Sequence, residues 1–103
     1  MRGKAYGVLA NVSLRCDRRG ARFVRAQIVA HDRSGNLLFT KEVVAYPEAC
    51  VASLLRLGNG AQVWVAGEWV DVPRDGGRHT VRMLRVFDVR DSSTYHTTQA
   101  SPA

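Results

Sequence analysis

The stretch VVAYPEACVASLLRLGNGAQVWVAG, at positions 43–67, requires a fold that holds one short helix between two β-strands. Pro47 ends the first strand, because proline cannot donate a hydrogen bond to a sheet, and proline followed by glutamate is typical of a first helical turn. Three apolar side chains share one side of a helix over residues 47–57: Val51, Leu54 and Leu55. Gly-Asn-Gly at 58–60 supplies the C-terminal stop, and the alternating run after it predicts a second strand.

The rest of the chain consists of apolar segments separated by short polar turns that contain glycine. Alternation is clearest in residues 21–32, where Val24, Ala26 and Ile28 fall on one face. Gly7 lies inside the first apolar segment, and a glycine within a strand predicts a bend or a bulge. The predicted strands cover residues 5–14, 21–32, 37–46, 61–72 and 79–90.

Three strands, one helix and two strands, in that sequence, are the element order of the OB-fold, a five-stranded Greek-key barrel. The expected fold class is therefore all-β, with the helix between strands 3 and 4 closing one end of the barrel. A chain of 103 residues has room for a single core, and we assign one domain to residues 1–90. Residues 91–103 are polar and poor in apolar side chains, which predicts a flexible tail.

Charge is the main indication of function. The chain has 15 basic residues against 9 acidic ones, a net charge of +6, and 13 of the basic residues are arginines. This excess favours a polyanionic partner such as nucleic acid, because guanidinium groups form forked contacts to phosphate; free use of arginine codons in a high-GC genome is the alternative explanation. The arginines are grouped at two hairpins that would flank the binding face of an OB-fold: Arg15, Arg18, Arg19, Arg22 and Arg25 at the first, and Arg74, Arg78, Arg82 and Arg85 at the last.

Other classes of protein are disfavoured. The sequence contains no Ser-His-Asp, paired-carboxylate, phosphate-loop or dinucleotide pattern, so we expect no enzymatic activity. The three histidines share no ligand spacing and Cys16 and Cys50 form no zinc motif, so we expect no metal, no cofactor and two reduced thiols. No apolar run approaches the roughly 20 residues of a membrane span, and the N-terminal stretch does not match a secretory signal.

The same central stretch resembles a segment of the bacterial single-stranded DNA-binding proteins. In that family a strand ending in Val-Val-x-aromatic leads through a helix and a glycine turn to a strand of the type V-aromatic-V-x-G. GVLANVSLRCDRRGARFVRAQIVAHD, at positions 7–32, is similar to the first hairpin of the family, so the resemblance covers about residues 5–90. The chain also resembles primosomal replication protein N, a shorter and dimeric relative.

The resemblance implies that bases stack on aromatic side chains of the outer face and that basic residues hold the phosphates. Tyr46 lies where the family keeps a stacking aromatic, and Lys41 and Trp64 lie on elements that the family uses for binding or for subunit contact. The chain departs from the family at Thr40, which replaces a second stacking aromatic, and at Glu42, which replaces a residue that is often basic. Its last hairpin, VDVPRDGGRH, is also shorter than the basic hairpin of the family.

Three aromatic side chains admit two interpretations each. Phe23 either stacks a base or covers a barrel end or dimer seam. Trp64 lies between two valines that would face the core, so it points outward, either as a subunit anchor or as a stacking platform. Trp69 falls on the valine face, which favours the core over the surface.

We therefore expect a protein of the bacterial cytoplasm, associated with the nucleoid, that coats single-stranded DNA without sequence preference during replication, recombination or repair. RNA is an alternative ligand. We expect the protein to form a homo-oligomer, either a dimer or a tetramer. One alternative is a primosome adaptor that binds DNA weakly and contacts replication or helicase-loading proteins; another is an OB-fold module that binds protein or RNA. The predicted binding residues are Arg15, Arg18, Arg19, Arg22, Phe23, Arg25, Lys41, Tyr46, Arg74, Arg78 and Arg82, with Trp64 at an oligomer interface or as a stacking residue.

Overall fold

The computed structural model describes residues 1–92, and it confirms the predicted order of elements. A short 3-10 turn, Asp75–Gly77, joins the last two strands. The final strand includes Asp91, which pairs with Val63, so the barrel extends one residue into the predicted tail; residues 93–103 of that tail lie outside the described part. The elements are β1 (Arg2–Cys16), β2 (Arg22–His31), β3 (Leu37–Ala45), α1 (Glu48–Leu57), β4 (Gln62–Arg74) and β5 (His79–Asp91).

The five strands form a closed barrel in the order β1-β2-β3-β5-β4. β1 is antiparallel both to β2 and to β4, and its pairing with β4 closes the barrel. β3 and β5 are the parallel pair, joined along Glu42–Ala45 and Met83–Val86. This Greek-key connectivity, with α1 between β3 and β4, is the OB-fold that the element order predicts.

Helix α1 closes one end of the barrel. It begins at Glu48 rather than at Pro47, because Pro47 has an extended ψ of 133° and acts as the N-cap; its carbonyl accepts the N–H of Val51 at 2.9 Å. At the other end, the N–H of Gly58 bonds to the carbonyl of Leu54 at 3.0 Å. Leu54 is fully buried and α1 packs against β1, β2 and β5, so the apolar stripe read from the sequence is the face that fills the barrel.

The alternation in the sequence is reproduced in the core. Val24, Ala26 and Ile28 of β2 all point into the barrel, where they pack with inward residues of the other strands. Trp69 is partly buried against this core, as the alternation of β4 predicts. Cys50 lies in the core as a free thiol, and burial raises its pKa, which keeps it protonated and unreactive at neutral pH.

The register of β1 is regular through Gly7, which pairs with Val63 of β4, so the bulge of β1 does not lie at Gly7. The register of β1 against β2 shifts between Ala10 and Ser13, where Asn11 has a φ of 53°. The N–H of Val12 is turned away from β2 and bonds to the side-chain oxygen of Asn59 at 2.9 Å. Gly7 has a different function, since a Cβ there would lie 2.5 Å from the carbonyl oxygen of Val29 on the neighbouring strand.

Candidate nucleic-acid interface

The outer wall of β1, β2 and β3 carries a polar groove, bordered by the end of β4, that we call the arginine groove. Register explains its composition, because Ser13 of β1 lies opposite Arg25 of β2, and Gln27 of β2 lies opposite Glu42 of β3. Paired residues of neighbouring strands point to the same side of a sheet, so these side chains share the outer face. The lining side chains that bear on binding are Ser13, Arg15, Arg25, Gln27, Glu42 and Arg74.

Glu42 lies between two of the predicted binding arginines. Its Oε2 accepts a hydrogen bond from Nη2 of Arg74 at 2.9 Å and lies 3.5 Å from Nη2 of Arg25. The carboxylate is only about a quarter exposed, at 27%, so this contact is less screened by water than an ordinary surface pair. Glu42 therefore neutralises part of the positive charge that Arg25 and Arg74 bring to the groove.

An aromatic pair lies beside the groove. The rings of Phe23 and Tyr46 are stacked, with centroids 5.0 Å apart and an interplanar angle of 21°. Phe23 is paired with Arg15 across β1 and β2, so the stack adjoins the groove directly. Tyr46 is 44% exposed, which leaves ring surface available to another planar group.

The turn between β1 and β2 presents further positive charge. Oδ1 of Asp17 accepts the N–H groups of Arg19 and Ala21, each at 2.9 Å, and this holds the turn in one conformation. Both Arg18 and Arg19 are exposed on it. Among the side chains that the structure describes, no carboxylate pairs with four arginines of this hairpin: Arg15, Arg18, Arg19 and Arg22.

The structure places two predicted residues away from the groove. Arg82 pairs with Asp71, 3.6 Å from Nε to Oδ1, and alternation along the ribbon of β4 and β5 puts it on the face opposite Arg74. Lys41 lies on the other side of β3 from Glu42, with its Nζ 5.8 Å from the centroid of the Trp69 ring.

Two more predicted residues lie at the edges of the arrangement. Arg78 is exposed, just after the 3-10 turn that joins β4 and β5. Arg22 borders a separate groove against helix α1, with Glu48 and Leu55.

Trp64 belongs to a different sector of the barrel wall. It is paired with Tyr6 on β1 and with Arg90 on β5, whose guanidinium carbon lies 5.2 Å from the centroid of the indole ring. Val63 and Val65 are fully buried, so Trp64 points outward as the sequence predicts. We call Tyr6, Trp64 and Arg90 the Trp64 patch; β4, which carries Trp64, is not paired with β2 or β3, the strands that lead to the stack.

Two polar groove residues were missed by the sequence analysis. Ser13 hydrogen-bonds Nε of Arg15 at 3.1 Å, and Gln27 accepts a hydrogen bond from Asn11 at 2.6 Å. Gln27 could have been found from alternation, which puts it on the same face of β2 as Phe23 and Arg25. Ser13 could not, because the shift in register between Ala10 and Ser13 changes the phase of β1.

The arrangement offers guanidinium groups that bind anions and a ring face that stacks on planar groups. Together they suit a ligand that alternates phosphates and bases. Across the 92 residues that the structure describes, no group of three or more His, Cys, Asp or Glu side chains could hold a metal ion. No helix of that part of the chain is long and apolar enough to cross a membrane.

Fold and site together define an OB-fold protein with a basic outer face that carries aromatic side chains. No protein-family model matches the chain, and no curated protein sequence is significantly similar to it. Solved structures do match. The mitochondrial single-stranded DNA-binding protein Rim1 of S. cerevisiae superimposes with a TM-score of 0.69 at 16% identity, covering 87% of this chain and 92% of that one.

Two further structures extend this likeness. The Plasmodium falciparum SSB, solved in complex with ssDNA, has a TM-score of 0.68 at 14% identity and covers 85% of this chain and 90% of its own. The protein priB of Ralstonia solanacearum has a TM-score of 0.66 at 13% identity, with 87% and 96% covered. Single-stranded DNA-binding proteins and a priB protein are thus both similar to this chain in structure, which confirms the resemblance at the level of the fold.

Proposed function

We propose that this protein binds single-stranded DNA without sequence preference and acts in replication, recombination or repair as a non-enzymatic coating protein. The observation that carries the proposal is the stacked pair Phe23 and Tyr46 beside the arginine groove. Every base has a π-face, so stacking on Tyr46 is indifferent to sequence. The solved neighbours support the same function, since they include SSB proteins, one of them in complex with ssDNA.

The four arginines of the first hairpin that lack a carboxylate partner are the proposed phosphate contacts: Arg15, Arg18, Arg19 and Arg22. They require no carboxylate to be displaced before a phosphate binds. Phosphate contacts carry no base information, so binding through these arginines would not depend on sequence. Arg25 and Arg74 differ, because Glu42 must release them first.

Salt dependence tests the proposal. Anisotropy of labelled oligo-dT, measured over a series of salt concentrations, should give a slope of log K against log salt of about −3, if each of the four arginines holds one phosphate. The matching duplex should bind much more weakly, because its bases are not available for stacking. Absence of binding to oligo-dT at the lowest salt, or equal binding to the duplex, would contradict single-strand coating.

A primosome-type adaptor is the second candidate, and Glu42 is the observation that favours it. A carboxylate held between two arginines lowers the positive potential of the groove, which suits weak DNA binding combined with a protein partner. The likeness to priB adds support. The salt series separates the two functions, because a face that mainly contacts protein would show weak DNA binding with little slope.

Replacing Glu42 with glutamine is expected to raise affinity for oligo-dT. The change removes one negative charge and frees Arg25 and Arg74 for phosphate. We expect an increase on the order of 3- to 10-fold at low salt, and a salt slope steeper by about 1. The measurement is the same anisotropy titration of the Glu42→Gln variant over the salt series.

Asp71→Asn is the control for net charge. It removes the carboxylate that pairs with Arg82, on the face of the β4–β5 ribbon opposite Arg74. It should change affinity by less than the groove variant at every salt concentration. Lower affinity of Glu42→Gln would mean instead that the carboxylate positions the two arginines for binding.

We further propose a homo-oligomer of the bacterial cytoplasm that associates through the Trp64 patch. A single OB-fold offers a track of roughly 4–16 nucleotides, so several copies extend the strand that is protected. Tyr6 is about half exposed, at 49%, beside Trp64, and aromatic residues of this kind are enriched at interfaces. Sedimentation velocity of the full chain measures the state, and a monomer at high protein concentration would contradict it.

A further inference from the structure

A second aromatic surface continues from Tyr46 around the barrel, beyond the arginine groove and the Trp64 patch. Phe87 lies in it with its side chain 52% exposed, together with Tyr46, Pro47, Arg85 and Glu68. We call these five residues the Phe87 surface. The depression that they border begins at Tyr46, the exposed ring of the stack.

Phe87 points outward by the alternation of β5, in which Leu84 and Val86 face the core and Arg85 and Phe87 are exposed. β4 and β5 are paired as Ala66 with Asp88 and Gly67 with Val86, so one residue of β5 between these pairs has no partner. That residue is Phe87. The bulge leaves Phe87 without a ladder partner on β4, while Leu84 and Val86 remain in the core.

The Phe87 surface is continuous with the arginine groove. Arg25 of β2 is paired with Val44 of β3, and Val44 is paired with Arg85 of β5. Arg25 and Arg85 are therefore two strand spacings apart, roughly 10 Å, on the same outer wall. A chain that leaves the groove over Tyr46 meets Arg85 and Phe87 next.

The charge of the surface suits a phosphate backbone. The guanidinium carbon of Arg2 lies 5.9 Å from the centroid of the Phe87 ring, which puts a second cation beside the phenyl group. Arg85 is paired with Glu68 at 3.2 Å, but both side chains are about half exposed, and exposed pairs are weak enough for a phosphate to replace the carboxylate. Arg2 and Arg85 carry two positive charges against the one negative charge of Glu68, so the Phe87 surface has a net positive charge.

We propose that the single strand runs on from Tyr46 and that a further base stacks on Phe87, with Arg85 and Arg2 as its phosphate contacts. This inference rests on the proposed function. An isolated exposed phenyl group is ordinary on a protein surface. Phe87 differs from such an isolated group in two ways. It follows Phe23 and Tyr46 as a third aromatic ring on the same wall, and Arg2 and Arg85 lie beside it.

The test is a series of labelled oligo-dT of increasing length, titrated by anisotropy at low salt against wild type and Phe87 variants. Phe87→Ala should leave affinity for the shortest oligonucleotides unchanged, because these are held by the stack alone. Beyond the length that reaches Phe87, affinity should fall roughly 5- to 150-fold, the loss expected for one stacked base.

Conservative variants distinguish stacking from apolar contact. Phe87→Tyr keeps a ring and should bind like wild type, whereas Phe87→Leu keeps apolar bulk and should behave like Phe87→Ala. Wild-type affinity of Phe87→Ala at every length would overturn the inference. A change of oligomeric state in place of a change in affinity would overturn it too and assign Phe87 to an interface between copies.

Failure of this inference can be told apart from failure of the proposed function. If wild type binds oligo-dT and Tyr46→Ala does not, while the Phe87 variants bind normally, only the extension of the track is wrong. If wild type binds no oligonucleotide of any length, the proposed function fails and the extension fails with it.

Discussion

Replacing Tyr46 with alanine is expected to weaken binding to oligo-dT by roughly 5- to 150-fold at low salt, since one stacked base is worth about 1–3 kcal/mol. Tyr46 has one ring face on Phe23, 5.0 Å away between centroids, and enough exposure to receive a base. Alanine removes that platform and leaves Phe23 without its partner ring. Anisotropy of a labelled oligonucleotide, followed together with tryptophan emission, measures the loss.

Tyr46→Phe is the matched control, because it removes only the hydroxyl and keeps the stack. Its affinity should stay within about 3-fold of wild type, since stacking depends on the ring. If alanine and phenylalanine variants both bind like wild type, Tyr46 is a half-buried cover for the barrel and base stacking must be sought elsewhere. Circular dichroism of each variant shows whether the barrel is intact.

Gly67→Ala should be the most damaging small substitution in the barrel wall. A Cβ at Gly67 would overlap the carbonyl oxygen of Arg85 and lie 2.9 Å from the Cα of Val86. Both are backbone atoms of β5, which cannot move without breaking the pairing of β4 and β5. We expect a loss of about 3 kcal/mol in the free energy of unfolding, or roughly 10–25 °C in Tm.

Gly35→Ala introduces the same methyl group at a site with open space. No atom lies within 4 Å of a Cβ there, and the φ of 85° alone opposes the substitution, at a cost of about 1 kcal/mol. Urea denaturation of both variants gives the two free energies. Equal losses would show that β5 yields to the added methyl group and that the close approach at Gly67 is not what the barrel depends on.

Part of the candidate site could be predicted from the sequence alone. Alternation placed Phe23 and Arg25 on the outer face of β2, and the strand end at Pro47 placed Tyr46 beside the barrel rim; the structure brings all three together. The sequence alone could not show that Arg82 lies on the face of the β4–β5 ribbon opposite Arg74. Which residues of two paired strands share a face depends on the register between the strands. The sequence analysis did not single out Phe87, although alternation along β5 puts it on the outer face with Arg85; its position beside Tyr46 comes from the fold.

The amino-acid sequence by itself determined the elements: five strands from a period of two, one helix from an apolar stripe, and turns from proline, glycine and asparagine. These are interactions of neighbours along the chain, so they can be read without the fold. Only the tertiary structure decided that Glu42 lies between Arg25 and Arg74, 32 residues from the latter, and that Phe23 stacks on Tyr46. Closure of the barrel sets the register of all five strands at once, and register decides which distant side chains meet.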